Sequence, residues 1–290
     1  MTPEEEAYSF LTELGIDEFP IIPREICDRL GIFYIEEPLR SIDGALVISD
    51  RGNLISVNSA ISEDGRKHFT GAHELGHLCL HSSDQSEFWC SREDIESFRK
   101  RTQPVELEAN RFAAEFLMPK FLFHGLVEDR DPDWDYIKTL TQKTETTLLA
   151  TAKRFIDLTT QASVLIVSKN GVISWFNPSK SFRAYVDMDS RVISPNTVAY
   201  GVHHGTPPPN NYEVVKADNW VTGQGVNANT EILEWTLPMN SYGQVLTILL
   251  DEEGIKGWIK EGFEDDADDG DDEVSTEWEL PTFHKSKRKR

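Results

Sequence analysis

Long apolar segments are absent from this chain of 290 residues, because no apolar run approaches the roughly 18–20 residues that a helix needs to cross a membrane. The first ten residues, MTPEEEAYSF, are acidic and lack the basic and apolar stretches of a signal peptide. Cysteine is scarce, with three residues and no CxxC pair, so a disulfide scaffold is excluded. These absences predict a cytoplasmic protein with reduced thiols that does not bind membranes.

Positive charge is also scarce. The chain has 29 Lys and Arg residues against 50 Asp and Glu residues, which gives a formal net charge of −21. So acidic a protein repels the phosphate backbone, and direct binding of nucleic acid is therefore not expected. Hydrophobic residues make up 39% of the chain and aromatic residues 10%, which is enough to build at least one core and excludes a wholly disordered protein.

The apolar pattern predicts an α+β chain with four successive segments. Residues 1–122 mix short strands with two longer helices, and residues 123–160 contain two helices that resemble a helix-turn-helix. Residues 161–262 are rich in strands and are expected to form a second, β-rich domain. Residues 263–290 begin with the acidic run EDDADDGDDE and end in the basic cluster KSKRKR, so we expect this tail to be disordered.

The first segment contains a predicted β-hairpin and two predicted helices. Its hairpin strands are GALVIS at 44–49 and LISV at 54–57, separated by the turn residues Asp-Arg-Gly-Asn. Helices are expected over 65–81 and 105–117.

The segment from His73 to His77 contains the pattern HExxH. On a helix the two histidines lie one turn apart on the same face, so both imidazoles can bind one Zn²⁺ ion. Glu74 follows the first histidine and is placed to accept a proton from the attacking water and to pass it to the leaving amine. The pattern therefore predicts a zinc-dependent hydrolase with His73 and His77 as ligands and Glu74 as general base.

A catalytic zinc site also needs a third protein ligand and an open position. His81 lies about 12 Å along the helix from His73, too far for both to bind one ion, so we expect it to bond carbonyl groups at the helix end. On the second helix Glu106 shares a face with Asn110, whereas Glu108 points away toward solvent. Glu106 is the expected ligand and Glu108 the alternative, with Asn110 placed to hold the free N–H of a ligand histidine.

Two segments give the chain a specific likeness to a known family. FTGAHELGHLCLH at 69–81 and ELEANRFAAEFLMP at 106–119, together with Arg66, resemble the ImmA/IrrE metallopeptidases. The pattern of that family is close to RxxFTxAHELGH followed by ExxAN or ExxAD and then xFAxxxLMP. The strong resemblance covers about residues 20–120, and a weaker likeness continues to about residue 250.

The resemblance implies a zincin-like protease domain with a gluzincin-like site. In zincins an edge strand precedes the HExxH helix, so the resemblance implies that the strand at 54–57 is an exposed edge that pairs with an extended peptide. In that site His73, His77 and Glu106 bind Zn²⁺, for which Mn²⁺ can substitute in vitro, and Glu74 is the general base. Arg66 is expected to support the structure or to contact substrate rather than to act in catalysis. The β-rich region is similar to the GAF-like domain that follows the protease in IrrE-type members, although no cofactor motif in it indicates a ligand.

The family cleaves helix-turn-helix repressors of the XRE type and so releases genes for stress response or for excision of mobile elements. The resemblance therefore implies a protein substrate of this kind, and an acidic body would attract a basic repressor. The alternative is a zinc-stabilised module that binds a repressor without cutting it. A structural zinc site needs no general base and is usually closed by a fourth Cys or His, so the intact Glu74 favours the enzyme.

Other residues carry weaker expectations. Cys79, on another face of the HExxH helix, is expected to be a buried thiol with no role at the metal. Zincins usually stabilise the oxyanion with a Tyr or His besides the metal. The candidates for the oxyanion residue are His68, Tyr200, His203 and His204, of which His203 and His204 are more simply exposed loop histidines.

A DNA-binding role for the helices over 133–158 is a third possibility. Thr144 or Thr146 is the expected cap of the second helix. That helix carries only Lys153 and Arg154 as cations, so we expect the helices to pack against the protease domain instead.

Overall fold

The computed structural model of the chain describes residues 1–83, 85–92, 103–188, 191–223, 225–239, 243–252 and 254–255. The chain divides into two compact units, with the boundary between Thr159 and Thr160. Both helices and sheets are present, so the protein is of the mixed α+β class that the sequence predicted. The predicted tail at 263–290 lies outside the described residues.

The sheet of the first unit has four strands in the order β1-β3-β2-β4. Strands β1 and β3 are parallel, whereas β2 is antiparallel to both β3 and β4. The predicted hairpin is therefore present as β2 and β3. The strands are β1 (Phe33–Glu37), β2 (Gly44–Val47), β3 (Leu54–Asn58) and β4 (Glu87–Cys90).

The prediction that the strand at 54–57 is an exposed edge is wrong. This strand, β3, pairs with β1 on one side and with β2 on the other, so its backbone groups cannot accept a further strand. Strand β4, which sequence reasoning did not predict, is an edge strand of the described sheet. Its four residues alternate between exposed and buried, and so short a segment in a polar stretch carries little periodic signal.

The helices of the first unit lie close to their predicted positions. The HExxH helix, expected over 65–81, begins at Asp64, and the next long helix, expected over 105–117, begins at Pro104. The short helix at 120–127 was not predicted. The helices are α1 (Pro3–Glu13), α2 (Pro23–Leu30), α3 (Asp64–His81), α4 (Pro104–Leu117), α5 (Lys120–Val127), α6 (Trp134–Thr144) and α7 (Leu148–Leu158).

Helices α3 and α4 pack closely because small residues face each other. A Cβ added to Gly76 would come within 3.2 Å of the Cα and the carbonyl oxygen of Ala109, a separation tighter than ordinary van der Waals contact between carbon atoms. Ala109, Ala113 and Phe112 are fully buried on α4. This close approach brings the side chains of the two helices to one site.

Helices α6 and α7 belong to the same unit as the sheet. The expected cap of α7 was Thr144 or Thr146, but the Thr147 hydroxyl accepts a hydrogen bond from the Ala150 N–H instead. Arg154 forms an ion pair with Glu115 of α4, and its Nε donates to the Met118 carbonyl.

The other cation of α7, Lys153, pairs with Asp157. Both cations of α7 are therefore engaged by protein groups of this unit. The resemblance of α6 and α7 to a helix-turn-helix stays a prediction.

The second unit contains a five-stranded antiparallel sheet in the order β6-β5-β11-β10-β8 and a two-stranded ribbon of β7 and β9. The predicted hairpin of β5 and β6 turns at Asn170 and Gly171, which both have positive φ. The elements are β5 (Ser163–Lys169), β6 (Val172–Pro178), β7 (Tyr185–Val186), α8 (Val198–His203), β8 (Glu213–Lys216), β9 (Val221–Thr222), β10 (Glu231–Met239) and β11 (Gln244–Leu250).

A buried carboxylate organises this second unit. Glu234 accepts hydrogen bonds from the N–H groups of Val198 and Ala199 at the start of α8 and from the Trp220 indole. Burial raises the pKa of Glu234, and these donors oppose part of the rise. The GAF-like character of the region stays a prediction.

No helix among the described residues has both the length and the apolar character needed to span a membrane.

Candidate metal centre

The HExxH residues lie on the buried face of α3. His73, Glu74 and His77 are all fully buried, because this stretch of α3 packs between the sheet and α4. The Nε2 atoms of His73 and His77 are 3.0 Å apart. Two imidazole nitrogens one helical turn apart and this close together are placed to bind the same cation.

Glu106, at the start of α4, brings a carboxylate to the same point. Its Oε2 lies 3.1 Å from His73 Nε2 and 3.4 Å from His77 Nε2. Burial alone would raise the pKa of Glu106, but its contacts with the two histidines outweigh burial and hold the pKa well below its ordinary value. Burial, assisted by the neighbouring histidines, lowers the pKa of His77. Both directions favour the deprotonated forms of these two groups, which are the forms that bind metals.

The three edges of this donor triangle fit a tetrahedral metal ion. Metal–nitrogen and metal–oxygen bonds of about 2.0–2.1 Å at tetrahedral angles place neighbouring ligand atoms about 3.3 Å apart. The observed separations of 3.0, 3.1 and 3.4 Å are close to that value. The donor set of two imidazoles and one carboxylate is also one that binds zinc.

Cys90 supplies a fourth donor that sequence reasoning missed. Its Sγ lies 3.4 Å from His77 Nε2, and the candidate ligand atoms of His73, His77, Cys90 and Glu106 all lie within 4.8 Å of one another. Cys90 is the last residue of β4 and is fully buried. The sequence gives no spacing signal for it, because only the pairing of β4 with β2 brings it to the histidines.

Glu74 lies beside this cluster with both carboxylate oxygens buried and without a hydrogen-bond partner among the described residues. Burial raises its pKa well above the ordinary value, and the Cys90 thiol opposes part of that rise. The carboxylate also touches the backbone of β2, since a Cβ on Gly44 would overlap with Glu74 Oε1. Burying a carboxylate with so little polar support is costly, which is expected of a group that acts on a water or a substrate.

The two histidines are each held from behind by a second side chain. His73 donates through Nδ1 to Asn110 Oδ1 at 2.9 Å, the role that the sequence suggested for Asn110. His77 Nδ1 lies 3.1 Å from His81 Nδ1, and His81 Nε2 lies 2.8 Å from Glu108 Oε2. Such contacts fix the tautomer that leaves Nε2 free for a metal.

Two expectations about the side chains behind the ligand histidines were wrong. His81 does not cap the helix end through carbonyl groups, because its ring is turned toward His77 and Glu108. Glu108 does not point freely to solvent, because it bonds His81, although its side chain remains 47% exposed. The helical wheel of α4 alone missed this contact, which depends on how closely α4 approaches the end of α3.

The remaining sequence candidates in the first unit lie outside the donor cluster. Arg66 pairs with Asp43 at 2.8 Å, and His68 Nδ1 bonds the Glu145 carbonyl at 3.0 Å. Cys79 is partly buried against the core, and burial raises the pKa of its thiol to about 12.

The other oxyanion candidates belong to the second unit. His203 contacts the Ser168 hydroxyl, and the rings of Tyr200 and His204 are stacked. The structure therefore gives these three residues partners of their own within that unit.

Comparisons with known proteins relate the chain to one family and to solved structures. Residues 27–155 match the family model of peptidase M78, described as the IrrE N-terminal-like domain. The fold is similar to a solved structure described as a Mycobacterium tuberculosis transcriptional regulator, with a TM-score of 0.53 and 16% identity, covering 86% of this chain and 75% of that one. At so low an identity the likeness concerns the fold alone. No curated protein matches the chain significantly.

Proposed function

We propose that this chain is a zinc-dependent endopeptidase of the ImmA/IrrE family, on the premise that residues 27–155 match the peptidase M78 family model. The observation that carries the proposal is the fully buried carboxylate of Glu74 next to a converged donor set. His73, His77 and Glu106 are the proposed ligands, with Zn²⁺ as the metal and Mn²⁺ as a substitute in vitro. A purely structural centre has no use for such a carboxylate.

The proposed chemistry assigns each side chain one task. Zinc, when bound, supplies the Lewis acidity that polarises the scissile carbonyl and acidifies the attacking water. Glu74 takes a proton from that water and passes it to the leaving amine. Asn110 holds the His73 ring in place, and the burial of α3 keeps bulk water from the base. We assign no residue to the oxyanion.

We propose as substrate a regulatory protein of the XRE-type helix-turn-helix class, whose cleavage would derepress stress-response or mobile-element genes. The family resemblance supports this class of substrate. The net charge of −21 adds support, because DNA-binding proteins are basic where they contact phosphate and an acidic enzyme attracts such surfaces.

The test is cleavage of a candidate repressor by wild type and by Glu74→Gln, each supplied with Zn²⁺ or Mn²⁺. Intact-mass spectrometry should show two complementary fragments with wild type and none with Glu74→Gln, while both proteins retain the same metal content. Glu13→Gln, which neutralises an exposed carboxylate on α1, is the matched control and should cleave as wild type does. Equal cleavage by Glu74→Gln and wild type would contradict the proposal.

A second candidate function is favoured by Cys90. A fourth protein donor next to two histidines and a carboxylate is typical of closed, structural zinc sites. In that case the protein binds a repressor without cutting it. Wild type would then bind zinc and its partner but give no fragments at any enzyme concentration, and Glu74→Gln would behave in the same way.

A further inference from the structure

We propose that Cys90 is a displaceable fourth ligand of the metal, and that β4 keeps the centre closed until it leaves β2. The part of this inference that concerns peptidase latency rests on the proposed function. The ligand itself is inferred from geometry that is independent of any activity.

The position of the sulfur fits a metal ligand. With a metal–sulfur bond of about 2.3 Å and a metal–nitrogen bond of about 2.0–2.1 Å, a tetrahedral ion places sulfur and nitrogen about 3.6 Å apart. Cys90 Sγ lies 3.4 Å from His77 Nε2. On coordination the thiol loses its proton to solvent and binds as thiolate.

The backbone around Cys90 aims its side chain at the centre. Along β4, Phe88 and Cys90 point inward while Glu87 and Trp89 point outward. The Phe88 ring stacks on the His77 ring at 4.3 Å between centroids. Inward residues of β4 thus cover one of the two ligand histidines, and the last of them contributes the sulfur.

Strand β4 also occupies the place where a peptide would bind. Cys90 pairs with Gly44 of β2, and Gly44 is the residue whose Cα lies against the Glu74 carboxylate. An extended peptide that adds to the sheet beside the catalytic base would therefore pair with β2. In this structure β4 makes that pairing, so the chain fills both the strand edge and the fourth ligand position.

The attachment of β4 suits a segment that leaves. It spans four residues and pairs with β2 alone among the described strands. The outward Trp89 side chain is 60% exposed. Breaking these few backbone pairs would withdraw Cys90 from the metal, which frees the fourth position for water and the edge of β2 for substrate.

The experiment compares the full-length wild type, Cys90→Ser and Cys79→Ser, each loaded with Zn²⁺ or with Co²⁺. Cys79→Ser is the matched control, because it removes a thiol from the same unit that does not belong to the donor cluster. X-ray absorption at the zinc edge should show one sulfur at about 2.3 Å in wild type and in Cys79→Ser, but only nitrogen and oxygen in Cys90→Ser. A wild-type centre without sulfur overturns the proposal, and this measurement needs no variant to fold.

Acetohydroxamate, a small metal-binding probe, then tests whether the sulfur closes the centre. The cobalt absorption spectrum should report binding at least tenfold tighter to Cys90→Ser than to wild type and to Cys79→Ser. Equal affinity for all three proteins overturns displacement, even where sulfur is a ligand.

Repressor cleavage separates this inference from the proposed function. Faster cleavage by Cys90→Ser than by wild type supports both. If sulfur is bound and the centre is closed, but neither protein cleaves the repressor, the inference that Cys90 is a ligand is supported and the proposed peptidase activity is contradicted. Cleavage by a wild type that lacks sulfur contradicts the inference alone.

Discussion

Replacing Asn110 by Ala should weaken metal binding without touching a metal ligand. The Asn110 side chain is fully buried, and its Oδ1 accepts the Nδ1–H of His73 at 2.9 Å. Alanine leaves that ring free to rotate and leaves a buried N–H group without its acceptor. Loss of such a partner typically costs about 10–100-fold in metal affinity, or about 1.4–2.7 kcal/mol. The apo protein should lose about 1–3 kcal/mol of stability from the unsatisfied donor.

The assay is zinc competition against a chromophoric chelator, with the unfolding of each apo protein measured separately. Asn110→Asp is the control, because its carboxylate still accepts from His73 and should keep the affinity at or above that of wild type. The reasoning is refuted if folded Asn110→Ala binds zinc within twofold of wild type. It is equally refuted if Asn110→Asp is as weak as Asn110→Ala.

Three further outcomes are expected. Gly44→Ala should retain its metal but cleave the repressor about 100-fold more slowly, because the new Cβ displaces the Glu74 carboxylate and a misplacement of about 1 Å can cost that much in rate. Gly125→Ala is the control and should cleave normally, because a Cβ at this position on α5 meets open space. Cys27, fully buried and with its pKa raised by burial to about 12, should resist iodoacetamide at pH 8 until the protein is unfolded; rapid labelling of the native state would contradict its burial. Burial raises the pKa of Glu234 above 4.5, so the contribution of its protonated form to stability is full below pH 4.5 and is lost as the pH rises through the raised pKa. Glu234→Gln should remove this part of the pH dependence of urea unfolding. An unchanged pH profile in the variant would count against this role of Glu234.

Local sequence patterns predicted the elements that carry the HExxH residues. The boundaries of α3 and α4 lie within one residue of those expected, because helical periodicity and, for α4, the prolines at 104 and 119 are local signals. The approach of α3 to α4 was also foreseeable, since Ala109 and Ala113 lie on one face. Glu106 and Asn110 consequently lie where helical geometry predicts them, next to the histidines.

Features that depend on pairing at long range could not be read from the sequence. Whether the strand at 54–57 is an edge depends on β1, which pairs with it in parallel from earlier in the chain. Cys90 reaches the histidines only because β4 adds to the far side of β2. His81 and Glu108 meet across two helices, at an angle that a single helical wheel does not give.

The distribution of the four donors over α3, β4 and α4 has a thermodynamic consequence. His77 and Cys90 are 13 residues apart, and His73 and Glu106 are 33 residues apart. One bound ion would therefore close two chain loops and reduce the conformational entropy that these loops gain on unfolding. At a free zinc concentration of 100 times Kd, mass action adds about 2.7 kcal/mol to the stability of the folded state. Removing the metal should therefore lower the free energy of unfolding of the first unit.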